Sequence, residues 1–161
     1  MSVAGFVVRR AVVGDVEVVV AQRRAMFEEM RSAESAALDD MATRFAPWVK
    51  REIAAERYLG WFAVAEGTVA AGLGLWLMEW PPHVVGRASR RGYLLNVYTE
   101  KRFRRLGLAR ELVEVAVEWC RGNGVDVMVL HASDAGRRMY EELGFGATNE
   151  MRMVLSDAGE P

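Results

Sequence analysis

Apolar residues recur along this chain in two patterns, one typical of strands and one typical of helices. Short runs rich in Val, Leu and aromatic residues predict strands, and longer runs with one apolar face predict helices. The two kinds alternate without repeats or a low-complexity linker, which favours a mixed α/β fold in a single layered sheet. The predicted strands are Phe6–Ala11, Trp61–Glu66, Val69–Glu79, Tyr93–Thr99, Val127–His131 and Met151–Leu155. The predicted helices run from Asp15 to about Met30, from Ser35 or Leu38 to Arg57, over Leu106–Asn123 and over Ala135–Leu143.

Local signals set several boundaries. Asp15 is suited to cap the first helix, because its carboxylate can accept from the free N–H groups there. Pro47 would kink or divide the second helix. Glu66-Gly67-Thr68 predicts a tight turn between two strands, and Gly122-Asn123-Gly124 is expected to end the third helix.

The third helix has the clearest amphipathic pattern. Its predicted apolar face consists of Leu108, Leu112, Val115 and Trp119. Its predicted solvent face consists of Glu111, Glu114, Glu118 and Arg121. Cys120 lies beside the apolar face, and we expect a buried, inert thiol there.

Composition and charge narrow the class of protein. A length of 161 residues, with 52% hydrophobic and 27% charged residues, is typical of one globular domain over residues 1–161. The net charge of -1 gives no support for nucleic-acid or membrane binding by bulk charge. One cysteine and two histidines argue against a Cys/His zinc site, and we expect no metal. The first ten residues lack a signal-peptide pattern, and no run reaches the roughly 18 apolar residues of a membrane span, so we expect a cytoplasmic protein.

The segment Thr99–Ala109 carries the strongest chemical signal. A predicted buried strand runs into a short basic loop, and the loop opens the long third helix. Gly107 and Ala109 keep side-chain bulk away from the first helical turn, where free N–H groups and the helix dipole suit a phosphate. Small residues at a helix start equally allow close packing on a sheet. The loop also carries three arginines, Arg102, Arg104 and Arg105.

The spacing Arg104-x-x-Gly107-x-Ala109 resembles the Arg/Gln-x-x-Gly-x-Gly/Ala signature of the GCN5-related N-acetyltransferase (GNAT) superfamily. It is neither a P-loop nor a dinucleotide-binding glycine motif. A second segment, Tyr140–Phe145, is similar to the helix of that family that ends in Tyr-x-x-Leu-Gly-Phe. The resemblance extends from about Val7 to Leu155. It implies the GNAT fold, a mostly antiparallel mixed β-sheet with a splayed parallel strand pair, flanked by helices.

The resemblance implies acetyl-CoA as the co-substrate, bound where the strands Tyr93–Thr99 and Val127–His131 separate. Backbone groups of Val97, Tyr98 and Thr99 would face the pantetheine arm and the acetyl carbonyl, where amide donors stabilise developing negative charge. Backbone N–H groups of the loop and the first helical turn would bind the pyrophosphate. The residues concerned are Arg104, Arg105, Leu106, Gly107, Leu108, Ala109 and Arg110.

Tyr140 aligns with the tyrosine that in many relatives serves as general acid and protonates the CoA thiolate. Three positions depart from the pattern of the family. Ser133 stands where many members have an Asn, and its hydroxyl could still bond the pantetheine. Arg105 replaces a frequent Gly, and Lys101 replaces a frequent Pro.

No motif identifies the general base that must generate a neutral amine. Glu79 ends the strand next to Tyr93–Thr99 and is our first candidate. His83, in the following loop, has a suitable intrinsic pKa and is the second. Either residue could equally be a solvent-exposed surface group. His131 is expected to be structural or to lie beside the cofactor.

Acceptor specificity is expected in the first two helices and the Trp80–Gly92 loop. The helices carry an apolar set whose spacing is more typical of core than of a pocket: Met26, Phe27, Met30, Met41, Phe45 and Trp48. They also carry an acidic set that could attract a cationic amine or simply be solvated: Glu28, Glu29, Asp39 and Asp40.

The leading interpretation is an N-acetyltransferase in which a primary amine, from a small molecule or a peptide, attacks acetyl-CoA directly in a ternary complex. The alternatives are a non-catalytic CoA-binding sensor or interaction module and an acyltransferase that uses a longer acyl-CoA. The intact Tyr140 favours an enzyme. By analogy with relatives, a homodimer is also open, with Met151–Leu155 pairing across its interface.

Overall fold

The computed structural model describes residues 3–156, which form a sheet with the strand order β1-β2-β3-β4-β5. Neighbouring strands are antiparallel except for the parallel pair β4–β5, so the predicted mixed α/β class is confirmed. The strands are β1 Val7–Arg10, β2 Tyr58–Ala65, β3 Thr68–Glu79, β4 Arg90–Thr99 and β5 Met128–Leu130. The helices are α1 Val16–Glu29, α2 Ser35–Ala54, α3 Leu108–Gly122 and α4 Asp134–Glu142, with short 3-10 turns at Val13–Asp15 and Lys101–Phe103.

The chain divides into two compact units. The larger unit ends at His131 and contains the whole sheet with α1, α2 and α3. The smaller unit begins at Ala132 and contains α4.

Within the larger unit, helices cover both faces of the sheet. The side chain of Phe62 on β2 lies in an apolar core with Val19 of α1 and Val49 of α2. The neighbouring side chain, Trp61, contacts Trp119 of α3 with ring centroids 6.3 Å apart. Because successive strand residues point to opposite faces, α1 and α2 lie on one face and α3 lies on the other. Helix α2 runs through Pro47 without being divided.

The buried face of α3 differs from the prediction. Leu108 and Leu112 are buried as expected, but Val115 and Trp119 are only partly buried. Glu111, predicted on the solvent face, is 8% exposed, and its carboxylate accepts a hydrogen bond from the Val3 N–H at 3.1 Å. The rest of the buried face of α3 consists of smaller side chains, which contribute little to the apolar pattern of the sequence. The buried residues of α3 besides the two leucines and Glu111 are Val113, Ala116 and Cys120.

The Cys120 thiol is 2% exposed, which confirms the expected burial. Burial raises the pKa of Cys120 to about 11. At neutral pH the thiol is therefore protonated, and the nucleophilic thiolate is scarce.

The connection between α2 and β2 lies three residues earlier in the chain than predicted. Helix α2 ends at Ala54 rather than Arg57, and β2 begins at Tyr58 rather than Trp61. Glu56 has a φ of +54°, and the Arg57 N–H donates to the Glu52 carbonyl oxygen at 2.9 Å, which closes the last turn of α2. The buried Glu52 carboxylate also accepts two hydrogen bonds from the Arg57 guanidinium, at 2.7 and 2.8 Å. This contact also lowers the pKa of Glu52 against the effect of its burial.

Asp15 does not cap α1 with its side chain. Its carboxylate accepts from the Arg9 guanidinium at 2.8 Å and from the Val12 N–H at 2.8 Å. The Asp15 side chain therefore ties β1 to the turn that precedes α1, and these contacts lower the pKa of Asp15. The turns predicted at Gly67 and after Gly122 are confirmed, with Gly67 and Gly124 in the left-handed region.

The predicted strand at Met151–Leu155 is wrong. These residues have no regular secondary structure, and Met151 and Leu155 are 94% and 87% exposed. Their sequence has the composition of a strand, but a strand also needs a hydrogen-bonded neighbour. None of the strands that the structure describes pairs with this segment.

Candidate active site

Strands β4 and β5 separate after a short parallel contact. They pair only from Gly92–Met128 to Leu94–Leu130, and β4 continues to Thr99 after β5 has ended. Beyond Leu94, the β4 edge that faced β5 is no longer paired with that strand. This arrangement confirms the splayed parallel pair that the resemblance implied.

A β-bulge lies where the strands separate. Gly72 of β3 pairs with Tyr98, whereas Gly74 pairs with Leu95, so β4 contains one extra residue in this interval. Asn96, inside the bulge, has a φ of +55°. Bulges interrupt a ladder and redirect side chains, and they are frequent next to active sites. The backbone of Asn96 and Val97 therefore departs from the regular β3–β4 ladder.

The loop that leads into α3 has the geometry of an anion site. Gly107 is the N-cap residue of α3 with a φ of +86°, a conformation that favours glycine. Among residues 3–156, a Cβ atom built on Gly107 would meet only Val3 Cγ2, at 3.9 Å, so the backbone is open towards the rest of the described chain. Helix α3 begins at Leu108 rather than at the predicted Leu106, which is 48% exposed. The N–H groups of Leu108 and Ala109 have no preceding helical turn to bind and are suited to a phosphate.

Two other features of this loop explain the pattern of the motif. Arg105 has a φ of +64°, which accounts for the glycine frequent at this position in related sequences. The Leu108 side chain is buried, so that residue can offer only its backbone to a ligand.

The side chain of Arg104 makes contacts within the chain that the sequence did not reveal. Its Nε donates to the Thr99 carbonyl oxygen at 3.0 Å, and its Nη2 donates to the Glu29 carboxylate at 2.5 Å. The Tyr98 hydroxyl donates to the same carboxylate at 3.2 Å. Arg104 therefore ties the end of β4 to α1 and orients the loop that follows.

An open groove of about 840 Å³ lies between α1 and the end of β4. Glu29 and Arg104 lie side by side in its wall. Burial raises the pKa of Tyr98, and the nearby Glu100 and Glu29 carboxylates raise it further. The other lining residues include Glu28, Lys101 and Arg102.

In the smaller unit, Ser133 and Tyr140 lie at the two ends of α4. The Ser133 Oγ accepts from the Gly136 N–H at 3.2 Å and caps the helix, and its hydroxyl hydrogen is left to donate to another partner. Tyr140 is 8% exposed, and its ring meets that of Phe145 edge to face. Burial raises the pKa of Tyr140 to about 12, so its hydroxyl is protonated at neutral pH.

The two base candidates from the sequence lie in different surroundings. Glu79 pairs with Arg90, the first residue of β4. At a rise of about 3.3 Å per residue, Arg90 lies roughly 16 Å along β4 from Leu95, the first residue after the β4–β5 pairing ends. His83 is exposed, and its Nδ1 accepts from the Val85 N–H at 2.9 Å.

A titratable pair that the sequence did not reveal adjoins the separation of the strands. The Tyr93 hydroxyl is hydrogen-bonded to Nδ1 of His131, and the two ring centroids are 5.6 Å apart. Tyr93 precedes Leu94, and His131 follows Leu130, which together form the last β4–β5 pair. The sequence places Tyr93 and His131 at strand ends, but it does not give the strand register that brings the two side chains together.

Of the two residue sets proposed for the acceptor region, the apolar set lies partly in the core and the acidic set forms ion pairs. Phe45 is buried in the core with Met41 and Trp48 packed against it, as their helical spacing indicated, whereas Met30 is 47% exposed. The carboxylates of this region are bound to arginines of the chain itself. The ion pairs are Glu28–Arg24 at 3.4 Å, Glu29–Arg104 at 2.5 Å, Asp39–Arg24 at 2.8 Å and Asp40–Arg44 at 2.7 Å.

None of the helices within residues 3–156 is long and apolar enough to cross a membrane. The same residues contain no cluster of three or more His, Cys, Asp or Glu side chains arranged to hold a metal ion.

Comparisons with known proteins agree with this architecture. The sequence model of the Acetyltransferase (GNAT) family matches residues 23–145. A GCN5-related N-acetyltransferase from Ralstonia eutropha JMP134 is 32% identical, with a TM-score of 0.89 over 94% of this chain and 99% of that one. The chain therefore belongs to the GNAT acetyltransferase family, and the predicted GNAT fold is confirmed.

More distant structures share the fold. A predicted acetyltransferase from Clostridium acetobutylicum, crystallised with acetyl-CoA, is 22% identical, with a TM-score of 0.85 over 92% of this chain and 95% of that one. Glucosamine-6-phosphate N-acetyltransferase from Arabidopsis thaliana is 17% identical, with a TM-score of 0.67 over 94% of this chain and 99% of that one. No functionally curated protein matches the chain.

Proposed function

We propose that this protein is an N-acetyltransferase that transfers the acetyl group of acetyl-CoA to a primary amine by direct attack in a ternary complex. The observation that carries the proposal is the combination of a splayed β4–β5 pair with a left-handed glycine at the start of α3. The first offers unpaired strand edge to an extended, amide-containing chain, and the second offers free N–H groups to a phosphate. The acetyl-CoA complex of the Clostridium acetobutylicum protein supports this choice of donor.

In this proposal the chain binds the donor mainly through its backbone. Acetyl-CoA supplies a thioester, an acetyl group that is already activated towards amines. Backbone groups of Val97, Tyr98 and Thr99 bind the pantetheine arm and orient amide donors towards the acetyl carbonyl. The segment from Arg104 to Arg110 binds the pyrophosphate, with Gly107 keeping the approach open. The hydroxyl hydrogen of Ser133 is available to the pantetheine.

Proton transfer is assigned to side chains. Tyr140 donates a proton to the departing thiolate, a role that rests on its motif and on a raised pKa that keeps the hydroxyl protonated. The proton of the amine goes to a base, for which Glu79, His83 and the Tyr93-bound His131 are the candidates. Of these, His131 adjoins the separation of β4 and β5.

Acetyl-CoA is expected to raise the melting temperature of the protein. At 100 times its dissociation constant, a ligand that binds only the folded state adds about 2.7 kcal/mol to the free energy of unfolding. A thermal-shift titration with acetyl-CoA, CoA and long-chain acyl-CoAs measures this, followed by thiol release with a panel of amines. A larger shift with a longer acyl-CoA would redirect the amine screen, binding without thiol release would indicate a CoA-binding module, and no shift with any ligand would refute the proposal.

Among the three base candidates, His131→Gln is expected to have the largest effect on kcat. Loss of a general base typically lowers the rate about 10²- to 10⁴-fold, and the acid limb of the pH–rate profile should flatten because that limb reports protonation of the base. Profiles of kcat against pH for His131→Gln, Glu79→Gln and His83→Gln make the comparison. If Glu79→Gln alone flattens the acid limb, Glu79 is the base and His131 is not.

A further inference from the structure

Arg23 carries a half-buried positive charge without a carboxylate partner. Its guanidinium lies over the rings of Phe27 and Phe45, at 4.8 and 4.7 Å from their centroids. Throughout residues 3–156, no carboxylate lies within ion-pair distance of it. Its Nε atom is buried and has no hydrogen-bond partner among those residues. A desolvated cation without a counter-charge costs free energy, and an anionic ligand would offset that cost.

The neighbouring charges make Arg23 an exception. The adjacent Arg24 is bound to Asp39, and Glu29, six residues further along α1, is bound to Arg104. The acidic residues that the sequence offered for a cationic ligand are thus already paired within the chain. Arg23 differs from these residues because its guanidinium is half-buried and has no ion-pair partner in the described part of the chain, which favours an anionic ligand rather than a cationic one.

The contacts of Arg23 place it against the β4 bulge. Its Nη1 donates to Oδ1 of Asn96 at 2.7 Å, and Nδ2 of Asn96 donates to the Tyr58 hydroxyl at 2.9 Å. Asn96 immediately precedes Val97, the first of the residues proposed to face the pantetheine and the acetyl carbonyl. An anion held by Arg23 would therefore lie beside the β4 bulge, next to the backbone that the proposed function assigns to the acetyl carbonyl.

Two glycines of β3 make room for polar groups on this face of the sheet. A Cβ atom on Gly74 would collide with the Tyr58 hydroxyl, and one on Gly72 would collide with the Gln22 amide. The two glycines are two residues apart, so they lie on the same face of β3 and about 7 Å from each other along the strand. Gln22 is 5% exposed, and its Nε2 is a second buried donor without a partner in the described part of the chain. A polar patch therefore interrupts the apolar packing of α1 on the sheet.

We propose that Arg23 binds an anionic oxygen group of the acceptor, so that the substrate is an amine that also carries a carboxylate or a phosphate. This inference rests on the proposed acetyltransferase function and names the class of its acceptor. The planar guanidinium binds either group through paired, charge-assisted hydrogen bonds. The Phe27 and Phe45 rings hold it in one orientation and limit its contact with water.

The test uses amines in matched pairs that differ in the anionic group. Phenylalanine is compared with phenethylamine for a carboxylate, and phosphoethanolamine with ethanolamine for a phosphate. In the wild type, kcat/KM for the anionic member of at least one pair should exceed that of its partner by about 10- to 100-fold, the range expected for hydrogen bonds to a charged group. The pair that shows the preference identifies the anion.

Three variants assign the preference to a residue. Arg23→Gln should remove it, and Arg23→Lys should restore it in part because the charge is kept while the paired donors are lost. Arg24→Gln is the matched control, since it removes the neighbouring arginine from an exposed ion pair with Asp39 and should keep the preference. Thermal stabilisation by the preferred anionic amine in the presence of CoA gives a readout besides activity, and Arg23→Gln should lose it.

The outcomes separate this inference from the proposed function. Acetyl transfer without preference for either anionic amine, or a preference that survives in Arg23→Gln, overturns the inference and leaves the function standing. Acetyl-CoA binding with no transfer to either anionic amine also overturns it. No thermal shift with acetyl-CoA refutes the function itself.

Discussion

Gly107→Glu is expected to lower the affinity for acetyl-CoA by about 100-fold or more. Gly107 holds the N-cap position of α3 with a φ of +86°, and its missing Cβ leaves the backbone open. A carboxylate at this position would face a ligand pyrophosphate, and the juxtaposition of like charges costs several kcal/mol. The dissociation constant from a thermal-shift or calorimetric titration with acetyl-CoA measures the loss.

The chain offers a matched control for the backbone strain of that variant. Gly67, in the turn between β2 and β3, has a φ of +75°, and apart from its chain neighbours no atom of residues 3–156 lies within 4 Å of the position of its Cβ. Gly67→Glu therefore carries the same new charge and a similar left-handed penalty of roughly 1–2 kcal/mol. It should lower the melting temperature to a similar extent while leaving acetyl-CoA affinity intact. Equal affinities for Gly107→Glu and Gly67→Glu would place the pyrophosphate elsewhere.

The order of the helices and strands could be predicted because each has a characteristic hydrophobic periodicity. Their ends depend on local contacts that this periodicity does not report. Helix α2 ends at Ala54, where Glu56 turns into the left-handed region and the Glu52 carboxylate binds the Arg57 guanidinium, and Tyr58 then begins β2 inside the core. The strand predicted at Met151–Leu155 failed for a related reason. Its composition is that of a strand, but pairing is a tertiary property.

The candidate site divides in the same way. The open backbone before α3 could be predicted, because Gly107 and Ala109 carry little side-chain bulk, and Gly107 lies in the left-handed region. Phosphate binding by this loop stays a prediction. The Tyr93–His131 pair depends on the register of two parallel strands, and the Arg23–Asn96 contact depends on an extra residue in β4. Register and bulges are not determined by composition. One usable signal was overlooked, since glycines inside a strand mark the close approach of other groups.

Tyr140→Phe is expected to lower kcat about 10²-fold or more at neutral pH and to leave the dissociation constant for acetyl-CoA unchanged. The change removes one hydroxyl and keeps the buried ring that packs edge to face against Phe145. Loss of a general acid has an effect of this size when the leaving group is a poor one. Because burial raises the pKa of Tyr140 to about 12, the wild-type hydroxyl stays protonated between pH 6 and pH 10, roughly two units below its pKa at the upper end. Ionisation of Tyr140 should therefore cause no fall in wild-type kcat in that range.

The leaving group separates an acid from a packing residue. A thiol with the cysteine pKa of about 8.5 leaves more readily when it receives a proton, whereas an aryl thiol, which is more acidic, departs as the thiolate unaided. The ratio of wild-type to Tyr140→Phe kcat/KM should therefore narrow when an acetyl thioester of an aryl thiol replaces acetyl-CoA. A residue that only packs or positions would instead give a ratio that does not depend on the leaving group. Equal kcat values for the two proteins with acetyl-CoA and a competent amine would show that Tyr140 is not the acid and that the thiolate receives its proton from another group or from water.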